Sequence, residues 1–412
     1  MKRVVITGTG VISPIGNSTS EFWESLKAGR HGIAPITEFE RGTLRTSLAA
    51  EVKNFDPLSF GIDKKSSRRM DRYCQFALAA AKEAVADAGT EFKDIDPFRV
   101  GVIIGSGIGG LTSIDEEHTK YMQKGSNRIS VFFIPMMISN MAAGAVAMEY
   151  GFKGANFSVV SACASGAHSI GEAFRAIKHG YLDAAITGGA EASVCEFSMG
   201  GFENMGALYM GENADRASIP FDKERSGFVL GEGAGIIVLE EYEHAMARGA
   251  KIYAELTGYG ATADAYHITS PDPSGAGTMT AMRLAMQEGG AEPFQVGYIN
   301  AHGTSTGAND SCETRAIKLA FGSYASAVAV GSTKSMTGHL LGAAGGVEAI
   351  ASALALRDGV LPQTIGYKVP DEECDLDYIT DGARKTSTEY ALSNSLGFGG
   401  HNACLCLKKY SK

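Results

Sequence analysis

Short apolar runs alternate with amphipathic stretches along the whole chain. "RVVITG" (3–8), "VGVIIG" (100–105), "FSVVSA" (157–162) and "DAAITGG" (183–189) read as buried strands. "QFALAAAKEAVADAG" (75–89) has a helical period and ends at Gly89. In "IGEAFRAIKHG" (170–180), Ile170, Ala173, Phe174 and Ile177 fall on one face and Gly180 stops the run. This alternation predicts an α/β chain with buried sheets.

Two passages echo each other. "GFVLGEGAGIIVLEE" (227–241) and "NSLGFGGHNACLCLKK" (394–409) each run from glycine-rich to apolar to charged. Each closes a stretch in which a strand turns into a helix. The first such turn follows Cys163; the second leads from "AVAVGSTKSMTGH" (327–339) into "GGVEAIASALALRDG" (345–359). The pattern predicts two copies of one βα unit, residues 1–250 and 251–412. The length of 412 residues agrees, being more than most single cores hold.

Composition narrows the choice of partners. At 44% hydrophobic and 20% charged the chain reads as an ordinary soluble protein. A net charge of −9 argues against a nucleic-acid partner. No run approaches ~18 uninterrupted apolar residues, so no membrane span is predicted. The basic start "MKRVVITGTG" has too short an apolar run for a signal peptide. The cysteines, at 74, 163, 195, 312, 374, 404 and 406, form no C-x-x-C pair. They predict reduced thiols, a cytoplasmic setting, no metal site and no cofactor.

Four motifs carry candidate chemistry. "GSGIGG" (105–110) matches a dinucleotide loop after a strand. The following "LTSIDEEHTKYMQKG" reads as polar and irregular, which argues against that use. "TGTGVISPIG" (7–16) is similar to a short-chain dehydrogenase turn, but no tyrosine has a lysine four residues later. "GTSTG" (303–307) matches a hydrolase elbow at Ser305, with Asp381 and His401 in triad order. A helix predicted to start near Asn309, beyond the serine, counts against it.

The fourth is "SVVSACASGAHSIG" (158–171). Cys163 sits there between a strand and a helix N-terminus, beside Ala162, Ala164, Ser165 and Gly166. It is either a packed thiol or a nucleophile whose pKa the helix terminus draws toward neutrality. Local pattern leaves both open. Among the nine histidines, His31, His118, His179 and His244 read as solvated, and His168 lies on the polar side of its helix. His302 and His339 differ. They stand at strand ends among small residues, where ligands gather in α/β proteins.

"ACASG" (162–166), "NAHGTSTGAND" (300–310), "STKSMTGHLLGAAGGVEA" (332–349) and "NSLGFGGHN" (394–402) together resemble the β-ketoacyl-acyl carrier protein synthases. These are the condensing enzymes of type II fatty acid synthesis. With "GFVLGEGAG" and "DAYHITSP" the resemblance spans essentially the whole chain. It implies a thiolase-like fold, with duplicated halves in a layered αβαβα body that forms a homodimer. It implies Cys163 as nucleophile, with the N–H groups of Cys163 and Phe398 holding an oxyanion. His302 and His339 are implied to stabilise an enolate, with Lys334 supplying positive charge and Glu348 orienting the network. Thr304 and Thr306 would contact the pantetheine arm. Phe398 would gate the site, with Gly399 allowing its motion. Ile108 and Phe202 would line the acyl pocket, Ile108 pointing to the elongating class.

The implied partner is acyl carrier protein, acyl- or malonyl-loaded, docking on Lys64, Lys65, Arg68, Arg69, Lys124 and Arg128. Two positions depart from the family pattern. Ser161 stands where threonine is common, and the stretch around Gly206 lacks a basic residue found in many relatives. Some relatives also hold a monovalent cation near the positions of Asn300, Asn394 and Glu348.

Overall fold

Strand β1 (Val4–Ile12) is buried at every position, yet carries two glycines. A Cβ at Gly8 would lie 2.1 Å from Ala84 O, and one at Gly10 would lie 1.9 Å from Ala80 O. Helix α1 (Arg72–Ala88) therefore seats its backbone directly on the strand. Asp71 caps the helix by accepting the Tyr73 N–H, and Gly89 ends it in a left-handed turn. The computed structural model describes residues 1–411.

The same device recurs in the second half. Strand β6 (Ala254–Ala263) presents Gly258 and Gly260 to helix α6 (Ala276–Gly289). Added Cβ atoms there would sit 2.0 Å from Ala285 O and 1.9 Å from Ala281 O. "TGTG" and "TGYG" are thus helix seats, which is the structural meaning of the motif that is similar to a dehydrogenase turn.

The strands between and beyond these are β2 (Val100–Gly105), β3 (Asn156–Phe157), β4 (Ala184–Glu191) and β5 (Gly233–Glu241), then β7 (Val296–Asn300), β8 (Ala329–Gly331), β9 (Asp377–Tyr378), β10 (Tyr390–Gly397) and β11 (His401–Lys409). In the first half the order is β3-β2-β4-β5-β1, and in the second it is β8-β7-β10-β11-β6 with β9 added outside. Parallel and antiparallel pairings match strand for strand. The halves join where Val4–Ile6 pairs with Ala254–Leu256.

Three apolar cores separate five layers. One lies between α1, with α3 (Met141–Tyr150), and the first half-sheet. A second lies between the other half-sheet and α6 with α7 (Gly307–Phe321). The central core surrounds two inner helices, α4 (Ser165–Lys178) and α8 (Ala344–Asp358). Ile170 and Phe174 of α4 and Ile350 and Leu354 of α8 pack there with Ile103 and Leu239 of one half and Leu256 and Leu405 of the other. This is the expected αβαβα arrangement.

Each inner helix begins with one short 3-10 turn, Ala162–Ala164 before α4 and Leu341–Ala343 before α8. Both turns open on a non-glycine residue of positive φ, 52° at Ala162 and 46° at Leu341. Gly342 therefore occupies in the second half the place that Cys163 holds in the first.

Several expectations are corrected. "FSVVSA" is not a buried strand: only Asn156–Phe157 pairs, at the sheet edge, and Phe157 and Val160 are 42% and 56% exposed. "LTSIDEEHTKYMQ" is a helix after all, α2 (Leu111–Lys124), but it packs on the short helix Phe133–Met137 rather than on the sheet. His168 is buried, its Nδ1 2.5 Å from the Tyr259 hydroxyl, because the first half of α4, Ser165–Gly171, is buried at every position. His244 is held between Glu240 and Asp94 rather than solvated.

Gly10→Ala and Gly260→Ala should each cost about 1–3 kcal/mol, since the new methyl meets helix backbone that cannot rotate away. Chemical denaturation would measure this. Losses below about 0.5 kcal/mol in both variants would contradict the helix-seat account.

Candidate active site

Cys163 is set by its turn. Ser161 N–H donates to Ser165 Oγ at 2.9 Å, and that hydroxyl donates to Ala162 O at 2.6 Å. These bonds hold Ala162 at its left-handed φ, which costs a non-glycine residue about 1–2 kcal/mol. The end of β10 closes over the turn. A Cβ at Gly397 would lie 2.4 Å from Ser161 O and 3.3 Å from Cys163 N, so only glycine fits. Phe398 follows at once.

Cys163, His302, His339 and Phe398 line one cavity of about 260 Å³, with Thr304, Thr306 and Phe228. The two rings stand nearly perpendicular, 5.2 Å apart, and Phe228 meets His339 edge-on at 5.3 Å. The backbone of His339 bridges to its neighbour segment, its N–H donating to Val229 O at 2.8 Å. The His302 and Gly303 N–H groups each donate to Glu313 at 2.8 Å.

Lys334 and Glu348 lie behind this cavity and do not line it. They form an ion pair with both side chains 1% exposed. A charge buried so deeply requires its partner. Their positions matter electrostatically. Burial holds both imidazoles well below the usual histidine pKa, and the Lys334 ammonium adds to the effect. His302 and His339 are therefore neutral.

The thiol departs from expectation. Burial pushes Cys163 up to about 12, and Lys334 pulls it back only in part. The helix terminus does not bring it near neutrality, because Cys163 sits in an apolar cluster with Phe228 and Leu341, which line the same cavity. At rest it is a protonated thiol.

Thr304 and Thr306 face the cavity together, their hydroxyls 2.9 Å apart. Ser305 between them does not. Its φ is 70°, it is fully buried, and its hydroxyl accepts the Ile219 N–H at 2.9 Å. No hydrolase triad assembles, since Asp381 pairs with Arg384. The dinucleotide reading fails on charge. Glu191 accepts Ser106 Oγ, Gly107 N and Ile108 N, so a carboxylate occupies the place a phosphate would need.

Ile108 and Phe202 line a second cavity of about 680 Å³ with Leu111 and Leu44, and Phe202 borders both cavities. Gly399 is exposed, with φ 87°, and lies on the turn between the cavity-lining Phe398 and Gly400. "SPDPSGAG" is more than a loop: Ser270 and Pro271 line the first cavity, and its last residues begin α6. Gly206 also lines that cavity, in a left-handed conformation.

Lys64, Lys65, Arg68, Arg69, Lys124 and Arg128 are all exposed, and none forms an ion pair among the described residues. Arg69 lies 4.7 Å over the Phe132 ring, four residues beyond Arg128, which brings the two basic stretches together. Asn300, Asn394 and Glu348 each keep a buried oxygen with no protein partner. That donor set suits a monovalent cation.

Glu191, Phe228 and Glu313 were not legible as site residues. Glu313 lies on the buried face of α7 with Asp310 and Ile317, and a carboxylate on such a face was the available signal. Glu191 ends an apolar strand, where the same signal was present.

Comparison with known proteins agrees with this geometry. Residues 1–245 match the beta-ketoacyl synthase N-terminal domain, and residues 253–368 match its C-terminal domain. The chain belongs to the beta-ketoacyl synthase family and is a condensing enzyme with the thiolase-like fold. It is 50% identical over 410 residues to the 3-oxoacyl-[acyl-carrier-protein] synthase 2 of Synechocystis sp., covering 99% of this chain and 98% of that one. It is 51% identical over 409 residues to the Staphylococcus aureus protein of that name, covering 99% of both. Among solved structures, it resembles the ketosynthase of a type II PKS complex with an acyl-carrier protein, bound to the hexaketide. That likeness has a TM-score of 0.93 and 35% identity and covers both chains fully. A beta-ketoacyl synthase from Burkholderia phymatum gives a TM-score of 0.91 at 34% identity, again covering both chains fully.

Neutral imidazoles make a direct prediction. In NMR spectra of imidazole-labelled protein, His302 and His339 should not shift between about pH 8 and about pH 6, where an ordinary histidine of pKa ~6.5 gains most of its proton. A midpoint near 6.5 for either ring would contradict the electrostatic account.

Proposed function

We propose that the chain elongates fatty acyl groups, with Cys163 carrying the acyl chain and malonyl-acyl carrier protein supplying two carbons. The carrying observation is one small cavity lined by a thiol, two neutral imidazoles and a glycine-flanked phenylalanine, with a buried lysine–glutamate pair behind it. The family and its named relatives support the same reading.

In the first step the Cys163 sulfur attacks the thioester carbonyl of acyl-carrier protein. The N–H groups of Cys163 and Phe398 hold the oxyanion. The carrier thiolate leaves and takes up the proton that Cys163 gives up, so a thiol of high pKa leaves no charge behind. Malonyl-carrier then enters, giving ping-pong kinetics. Its carboxylate departs as CO2, and the bonding electrons move onto the thioester as an enolate. His302 and His339 donate N–H bonds to the enolate oxygen. The enolate carbon attacks the acyl-Cys163 carbonyl and expels the Cys163 thiolate, which regains a proton from solvent. The product is 3-oxoacyl-acyl carrier protein.

Burial keeps the imidazoles neutral, Lys334 reinforces this, and Glu348 compensates the lysine's charge. Thr304 and Thr306 meet the pantetheine arm, Phe398 gates the cavity on its Gly399 turn, and Ile108 and Phe202 bound the acyl chain. The unit 1–250 supplies the thiol, and 251–412 supplies the imidazoles and the lysine. Asn300, Asn394 and Glu348 would hold a structural monovalent cation.

Acyl carrier protein is acidic and docks on the unpaired basic group around Arg69. The exposed apolar edge at Phe157 and Val160, with Val131 and Ile134, supports a homodimer that covers it. Among the described residues no helix is long and apolar enough to cross a membrane. With seven free cysteines, the chain suits the cytoplasm.

Cys163→Gln should abolish condensation while malonyl decarboxylation continues, read as CO2 release without product. A variant that still condenses would remove Cys163 from the mechanism. His302→Ala should keep acyl transfer to Cys163 but lose decarboxylation by about 100-fold or more; equal loss of both steps would contradict the division of labour. Arg69→Glu should raise KM for the carrier substrate and flatten its salt dependence, with kcat little changed. An unchanged KM would place docking elsewhere.

A further inference from the structure

Helix α5 (Glu196–Asn204) supplies most of the lining of the larger cavity, joined by Ile108 and Leu111. The segment 41–46, which has no regular secondary structure, lies along α5 and supplies a further part of the wall. Thr43 and Leu44 of this segment line the cavity. Leu44 is 8% exposed and belongs to the apolar cluster that contains Cys163. It rests above Gly200 of α5, where an added Cβ would lie 3.7 Å from its Cδ2.

Carboxylates lie against the segment at the two ends of α5. Gly42, with φ 54°, abuts Glu196, and a Cβ there would sit 2.5 Å from Glu196 Oε1. Glu203 does more. One of its oxygens accepts the backbone N–H groups of Arg45 at 2.8 Å and Thr46 at 2.9 Å, and the other accepts Arg45 Nε at 2.9 Å. The Glu203 side chain is 8% exposed, whereas that of Arg45 is 68% exposed. An exposed guanidinium adds little by itself. The buried carboxylate chiefly serves the two amides, which have no other way to be satisfied in an irregular segment.

We propose that Glu203 is a positioning residue for acyl-chain selection. By holding the backbone of Arg45 and Thr46, it fixes Thr43 and Leu44 as the far wall of the acyl cavity. This rests on Cys163 carrying the acyl group into that cavity past Phe202. Short chains end before Leu44, and long chains reach it. Releasing the segment therefore changes the handling of long chains and leaves short ones alone.

The test uses full-length enzyme with acyl carrier protein loaded with hexanoyl, decanoyl or hexadecanoyl groups. Acylation of Cys163 is followed by mass spectrometry, and kcat/KM for condensation is measured with each donor. In Glu203→Gln the hexanoyl value should stay within about twofold of wild type, while the hexadecanoyl-to-hexanoyl ratio rises about tenfold. Leu44→Ala should move the ratio in the same direction, and the double variant should be less than additive. A ratio unchanged in Glu203→Gln, or moved in Leu44→Ala alone, overturns the proposal. Should Glu203→Gln fail to fold, an unchanged ratio in Leu44→Ala overturns it. Wild-type enzyme that no donor acylates at Cys163 would instead overturn the underlying reading of the nucleophile.

Discussion

The contact between the two inner helices is made of backbone, and the active site depends on it. A Cβ at Gly166 would lie 2.7 Å from Gly342 O, one at Gly189 2.1 Å from that same oxygen, and one at Gly345 2.4 Å from Ala167 N. Each of these glycines gives up conformational freedom, at roughly 0.5–1 kcal/mol apiece. In return, α4 and α8 approach at their N-termini, each beginning just after its left-handed residue. The turn carrying Cys163 and the passage carrying His339 then converge on one cavity. A duplicated fold supplies two such turns, and only one carries a thiol.

Burial then sets the electrostatics. The site is dry enough to keep Cys163 protonated and both histidines neutral. Lys334, the cation near them, is matched by Glu348. Such a site opposes charge at rest and suits a reaction whose charges are transient. Thiol exchange returns the proton to the leaving group. Decarboxylation moves negative charge from a carboxylate onto an oxygen that fixed N–H donors can reach. Preorganised neutral donors in a low-dielectric cavity stabilise that charge without reorganising.

Much of this was legible in the chain, for physical reasons. The repeat was visible because both halves must bury the same strands. The turns at Cys163 and His339 were visible because close packing demands small residues. What escaped notice depends on long-range contacts. His168 reads as polar from its helix period, yet the first half of α4 is buried at every position. "FSVV" is apolar yet stands exposed at the sheet edge, and hydropathy alone does not distinguish that from a core. The lowered thiol pKa offered by a helix terminus ignored Phe228 and Leu341, which come from distant segments. Glu191, Glu203 and Glu313 do not stand out as acceptors in the sequence, because the loops they serve come from elsewhere in the chain or are irregular. Each is a buried acceptor for amides in a loop that has no strand or helix to satisfy them.

The central claim is that carbon–carbon bond formation and discharge of Cys163 are one event following decarboxylation. A single-turnover experiment tests it. Enzyme first acylated from acyl carrier protein is mixed with malonyl-carrier labelled in its free carboxylate. Released CO2 and the acyl-bearing Cys163 peptide are quantified over time. The account predicts one CO2 for each acyl group lost from Cys163, with matching yield of 3-oxoacyl product. Product formed while the Cys163 adduct persists, or an acyl group found on Ser305 instead, would contradict it.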